Sequence, residues 1–472
     1  MTARACLTLL AGIALSCAVL ADEKGDENKD LELIPQARPA PAASSADVST
    51  AAGATHKITL ENAFTQSWLQ GGLVPSPAPP PPWEERLLLD VRKEWRVGRD
   101  VTLAYSGRLN LRESQDLDFP SHQNVTNDLR EAYAGWEPFE RTFVEAGRIN
   151  LKSGVALGFN PTDFFKTRAV VEPLSVDPVV LREDRLGTLM VRAQRIWAGG
   201  SLTVAFAPAV ASASPIYSNV NLPSFDPMFD RTNSRNRLLV KGSVDIGSNF
   251  SPELLLYHEG AQTRWGLNLT EGVSQSVVVY GEWSGGRRAS LIDDALGFGR
   301  RTGTLPPGAP SPLPDDALSG FRSQLALGAS YTTPQPKITF NLEFNYNQAG
   351  FSRADWNNWF RAGQGLANGS PLAGELWTIR NYALDQQEQL GRSAVFLRAD
   401  WVDAFVPKLE LTGFVDADLA DGSARAQLSA DYYVSDRWTV GALVLADLGP
   451  RRSDFGSLPQ AGSVLLKVAR YF

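Results

Sequence analysis

Cysteine is almost missing from this chain: there are two in 472 residues, Cys6 and Cys17, both near the N-terminus. Histidine is nearly as scarce. His56, His122 and His258 lie far apart, and none has a partner at metal-ligand spacing. No nucleophile-elbow motif, phosphate-binding loop or cysteine cluster occurs. These absences argue against thiol chemistry and against zinc, and the reading carries no catalytic residues, no metal and no cofactor. Beyond residue 21 no run of roughly 18 uncharged apolar residues exists, so no membrane-spanning helix is expected. Blocks of like charge are also lacking, which removes nucleic acid as a partner.

What is present begins with a leader. Arg4 precedes an apolar run, Cys6 to Leu20, that is short for a membrane span, and Val19 and Ala21 supply small residues ahead of Asp22. Residues 1–21 are therefore expected to be a secretory signal peptide. Cleavage there removes both cysteines and Arg4, leaving a chain one unit more acidic than the formal net charge of −7. Residues 22–56, a charged run followed by Ala, Pro and Ser, lack the apolar content for a core and are expected to be a disordered periplasmic linker. Residues 57–82 are expected to hold a short helix and a Pro-rich connector. Leu60, Ala63, Phe64 and Trp68 lie at helical spacing after Thr59, a fitting N-cap, and residues 75–82 are mostly proline.

From residue 83 to 472 the pattern changes to strict alternation. Leu87, Leu89, Val91, Trp95 and Val97 fall on one face; Arg86, Asp90, Arg92, Glu94 and Arg96 fall on the other. After Gly98-Arg99-Asp100 the alternation resumes, with Val101, Leu103, Tyr105, Leu109 and Leu111 opposed to Arg108, Asn110 and Arg112. Phe340, Leu342 and Phe344 alternate with Asn341, Glu343 and Asn345; Val395, Leu397 and Ala399 alternate with Arg398 and Asp400. Strands of this length with charge at every second site are what lipid outside and water inside require. Aromatics collect at strand ends, among them Trp95, Trp136, Trp197, Trp265, Trp283, Tyr331, Tyr346, Trp401 and Trp438, where interfacial girdles belong.

Connections alternate as well. Short turns are expected at 98–100, 138–141, 198–200, 271–274, 333–336 and 435–437, and long polar stretches near 113–127, 153–185, 209–234, 285–319 and 348–391. Outer-membrane barrels place short turns on one side and long loops on the other. The expected fold is all-β: a transmembrane antiparallel up-and-down β-barrel of about 18 strands, with 16 as the alternative. Eighteen requires one more strand between about residues 64 and 82.

The last stretch, Gly462 to Phe472, puts Val464, Leu466, Val468 and Phe472 on one face and ends on an aromatic ring. It resembles the closing strand of Gram-negative outer-membrane barrels, in which the terminal aromatic is read by the barrel-assembly machinery. Arg470 stands where that pattern has an apolar residue, at a level where it can reach the headgroups. A narrower resemblance runs through Leu129-Arg130-Glu131-Ala132-Tyr133, Gly147-Arg148-Ile149-Asn150, Gly154, Asn160-Pro161-Thr162-Asp163 and Arg185-Leu186-Gly187. It is similar to a group of proteobacterial porin-like barrels related in form to alginate-export proteins, although Ile149 replaces that group's Gln and Ser153-Gly154 its Trp-Gly. The resemblance implies an outer-membrane location, with lipid, small solutes and the assembly machinery as partners.

Two features bear on function. The loop carrying Phe159, Asn160, Asp163, Phe164, Phe165, Lys166 and Arg168 is too apolar and basic to project freely into water. It folds either into the lumen as a constriction or down as a packed external lid. The inward phase also places Arg86, Arg92, Arg96, Arg108 and Arg112 on one arc, and Arg398, Asp400, Asp416 and Asp431 with further carboxylates on another. A transverse field follows if those charges are free, and a locally paired wall if they are not. The function read from this is a channel for small polar or charged solutes; the alternatives are an export barrel for a polymer and an outer-membrane hydrolase.

Overall fold

Alternation of apolar and polar side chains produces eighteen strands joined in hairpins, each pairing antiparallel with the next. The computed structural model describes residues 56–115, 125–216, 226–247, 249–308, 311–314 and 320–472. The expected leader, residues 1–21, and all of the expected linker except His56 lie outside the described residues. The barrel belongs to one compact unit, Ala37–Phe472.

The first strand is β1 (His56–Leu69), and short turns then join the rest in pairs. These are β2 (Trp83–Val97) with β3 (Val101–Ser114), β4 (Val125–Phe139) with β5 (Thr142–Ile149), and β6 (Thr188–Trp197) with β7 (Gly200–Ala207). Next come β8 (Arg237–Val244) with β9 (Glu253–Glu259), β10 (Gln262–Gly272) with β11 (Val277–Arg288), and β12 (Gly320–Thr332) with β13 (Ile338–Asn347). The last are β14 (Ser393–Trp401) with β15 (Leu409–Asp418), and β16 (Ala424–Ser435) with β17 (Trp438–Leu448), before β18 (Gln460–Tyr471) ends the series. A turn occurs at each of the six sites expected from sequence, and the β8–β9 and β14–β15 connections are somewhat longer.

Closure depends on β1, and here the sequence reading is corrected. The helix expected within 57–82 is a strand of 14 residues, paired on one side with β18 and on the other with β2. The barrel therefore starts at His56, not at residue 83, and this strand supplies the missing even number. The misreading has a physical cause. Leu60, Phe64 and Trp68 recur every four residues, a spacing that satisfies a helix and one face of a strand alike. The intervening outward sites are Asn62 and Gln66, which blur the period of two. Asn62 Nδ2 donates to Glu85 Oε1 at 3.1 Å, and Gln66 Nε2 to the carbonyl of Pro82 at 2.8 Å. Without β1, the edges of β2 and β18 would meet lipid with unpaired N–H and C=O groups, each costing several kcal/mol.

The two faces differ as expected. On β13, Leu342 is 55% exposed while its neighbour Glu343 is 1% exposed, so the apolar side meets the surroundings and the polar side the interior. On β18, Leu466 and Val468 face out and Ser463, Leu465 and Ala469 face in. Trp95, Trp136, Trp197, Tyr331, Trp401 and Trp438 lie at the turn end of the barrel, and Trp265, Trp283 and Tyr346 towards the loop end. Arg470 ends up beside the turn-side ring of aromatics, its guanidinium 5.3 Å from the centre of Trp438 and 4.6 Å from that of Phe472.

On the loop side a helical layer forms from α2 (Leu291–Thr302), α3 (Arg353–Gly363) and α4 (Pro371–Asp385); the short α1 (Pro178–Glu183) precedes them in the chain. Ser352 and Asp355 cap α3 reciprocally, and Ser290 caps α2. Trp356, Trp359 and Phe360 of α3 pack with Leu291, Leu296, Leu376 and Trp377 into one apolar cluster. Val74 from the Pro-rich connector inserts into the same cluster.

Candidate functional site: the crossed lumen

Residues 150–187, between β5 and β6, fold into the barrel interior and bond to walls on opposite arcs. The loop bonds to inward-facing residues of the wall rather than lying only over its outer rim. Its apolar residues have an apolar wall to meet. Leu239, Leu255 and Tyr257 interrupt the polar inward phase of β8 and β9, and Phe164 stacks on Tyr257 with centroids 4.4 Å apart while Phe165 meets the same ring edge-on.

The loop's base is tied by the motif residues themselves. Gly147 has φ 137°, and a Cβ there would stand 2.3 Å from the carbonyl oxygen of Ala132, so only glycine fits. Arg148, buried, donates from Nε to the Gly187 carbonyl at 2.9 Å and also to that of Pro227. Arg185 donates to Asn150 Oδ1 at 2.6 Å, to the Leu151 carbonyl at 2.9 Å, and to both oxygens of Asp163. Burial alone would raise the Asp163 carboxyl, but Arg185 and Arg182 outweigh it and hold it below the usual carboxylate range.

From that base the loop is held by polar side chains on the far wall, carboxylates and an amide that accept and one arginine that donates. Glu282 of β11 accepts from the amides of Val155, Ala156 and Thr162 and from the Thr162 hydroxyl. Glu343 of β13 accepts from the amides of Leu157 and Gly158 at 2.5 and 2.8 Å and from the Tyr280 hydroxyl at 2.7 Å. Arg398 of β14 bonds Asp177, at the start of α1, and also Asp400. Gln427 of β16 accepts from the Val176 amide. Phe159 and Asn160 lie on the same stretch: the Asn160 carbonyl accepts from Lys166 Nζ at 2.8 Å, and that ammonium sits 4.6 Å above the Phe159 ring. Burial lowers Lys166 to about 8. Arg168 bonds Asp385 at the end of α4, which Arg231 also bonds, so the loop is joined to the helical layer.

The basic arc is present and largely neutralised. Arg108 lies between Asp90 and Asp184, at 2.8 and 3.2 Å, and Arg130 bridges the same two carboxylates. Arg112 and Arg86 both reach Glu172, through its carboxylate and its carbonyl respectively, and Arg86 also meets Glu84. Arg92 approaches Asp184 at 3.8 Å, and Arg96 is exposed near the turn end. On the other arc Asp431 pairs with Lys467 and Asp447 with Arg425. Local pairing therefore governs most of the wall, and a free transverse field does not. The sequence reading of the wall did not include Glu282, Arg130, Asp177 or Glu172, which bond the loop or its partners. Inward phase was available for Glu282 and Arg130; nothing local to Asp177 or Glu172 names a partner on a distant strand.

Between the loop, the β13–β15 wall and α4 lies a cavity of about 250 Å³. Gly158, Lys166, Arg185, Asn345, Gln389 and Asp416 are among the residues around it.

No protein-family model matches the chain, and no curated protein is similar to it in sequence. Among solved structures, a triple mutant of the Rhodopseudomonas blastica porin overlaps 89% of this chain and 100% of its own, with 10% identity and a TM-score of 0.40. Pseudomonas aeruginosa OccK11 overlaps 89% of this chain and 96% of its own, with 11% identity and a TM-score of 0.49. Overlaps this loose add nothing to the functional argument. The barrel fold stands on the closed pairing of its own eighteen strands.

Proposed function

We propose that this chain is an outer-membrane, porin-like channel for small polar or charged solutes, narrowed by residues 150–187. The observation that carries the reading is a closed barrel, apolar outside, whose polar interior is crossed by a loop bonded to β2, β3, β11, β13, β14 and β16. A wall fixed at so many points restricts passage to small solutes and disfavours a polymer, which needs a clear bore. Charged groups at close quarters in such a passage set selectivity. The test is purified protein in planar bilayers: small, salt-dependent single-channel currents are expected, and a reconstituted barrel that carries no current rejects the reading.

A further inference from the structure

The wall of the lumenal cavity holds buried polar atoms without partners. On the inward face, strand register sets two rows across β13, β14 and β15: Glu343, Phe396 and Asp416 in one, Asn345, Ala394 and Asp418 in the next. Ala394 is small, which leaves space between Asn345 and Asp418. Asn345 is 2% exposed, lines the cavity, and its Oδ1 has no hydrogen-bond partner. Gln389, which also lines the cavity and whose carbonyl accepts from Asn347 on the same strand as Asn345, has both amide atoms, one a donor and one an acceptor, buried and unpartnered. Buried polar atoms are rarely left this way, and several around one cavity indicate that something else completes them.

The charges sharpen the point. Lining cations are engaged: Arg185 with Asp163, Arg380 with Asp454, and Lys166 with the Asn160 carbonyl. Arg425 stands opposite Asp416 in register, but its Nε and Nη2 are turned to Asp447 at 2.7 and 2.9 Å. Among the described residues Asp416 forms no hydrogen bond or ion pair, while Asp418 accepts from the Ala420 amide. Phe396 and Phe414 flank Asp416, their centroids 5.6 Å apart. The unmet need is for N–H donors on a positive charge beside aromatic rings.

We infer that this cavity binds the protonated amine end of a small organic solute, with Asp416 as its counter-ion and Asn345 and Gln389 completing its hydrogen bonds. The inference deepens the channel reading by naming a substrate class, and it rests on that reading only for the route of entry. Calorimetry on the detergent-solubilised barrel tests it, with putrescine as probe and 1,4-butanediol as its uncharged counterpart. Putrescine is expected to bind, butanediol not to bind, and Asp416→Asn to weaken putrescine at least tenfold. Asn345→Ala, which leaves every carboxylate in place, is expected to weaken it by a smaller factor, and heat-modifiable gel migration checks that both variants are folded. Equal binding of the two probes, or putrescine binding unchanged in folded Asp416→Asn, overturns the inference. Because this assay needs no current, a barrel that conducts and ignores putrescine refutes the site and leaves the channel standing.

Discussion

Arg185 grips Asp163 with two nitrogens, at 2.8 and 3.2 Å, and about 1% of either side chain is exposed. The pair fastens the end of the crossing loop to its middle, so the loop's shape depends on a contact 22 residues apart in sequence. Breaking such a buried pair costs about 3–5 kcal/mol, of which Arg182, 3.8 Å from Asp163, offsets a part when Arg185 is removed. Arg185→Met is expected to lower the denaturation midpoint of the reconstituted barrel and to make single-channel currents larger and noisier. Adding Asp163→Asn to that variant should recover part of the lost stability. A midpoint unchanged in Arg185→Met would show that the pair does not hold the loop.

Charge pairing on the basic arc makes a second expectation specific. Replacing Arg108 and Arg112 by Ser leaves Asp90, Asp184 and Glu172 with fewer cations, so selectivity should move toward cations. Salt screens such a change, and the shift in reversal potential should be larger at low ionic strength. Identical reversal potentials at low salt would mark these arginines as wall structure alone.

Lys166 sets a pH window. With its pKa lowered to about 8 by burial, the ammonium is lost as pH rises through that value, and anion preference should fall between about pH 7 and 9. Lys166→Met should remove this step. Stability follows the opposite sign from a gained ion pair: between about 8 and the ordinary value of 10.5 the unfolded chain binds more protons, so stability rises with pH across that window. Titrating reversal potential and unfolding midpoint together checks both signs.

Gly158 lies against the wall so closely that a Cβ would come within 2.4 Å of the Phe396 ring. Gly158→Ala must push the loop off β14 and weaken the Leu157 and Gly158 bonds to Glu343. Unfolding cost is expected at about 1–3 kcal/mol, as for other overpacked sites. Conductance should change with the barrel still assembled, and unaltered currents would place the loop elsewhere in solution.

Phe472 donates its amide to the carbonyl of Ile58 at 3.0 Å, joining the C-terminal end of β18 to β1 at the seam. Deleting Phe472 is expected to lower the yield of assembled barrel in the membrane fraction. Unchanged insertion would mean that this ring carries no assembly information.

The sequence alone determined the barrel, its inward and outward phases and its short turns, because a strand's period of two reports directly on lipid and water. Its one failure in the fold, at β1, came where Leu60, Phe64 and Trp68 fit both periods and Asn62 and Gln66 stood on the lipid side. Only pairing with β2 and β18 settles such a segment, and pairing is not local. The loop motif was visible as residues, yet what Arg148, Asn150, Asp163 and Arg185 do was decided by bonds that close a turn of the chain back on itself. The inward course of the loop depended on Tyr257, Glu282 and Glu343, which lie about a hundred residues or more away along the chain. For the same reason the charges could be assigned to a wall but not to partners: a side chain's phase is written in its neighbours, and the group it meets across a lumen is not.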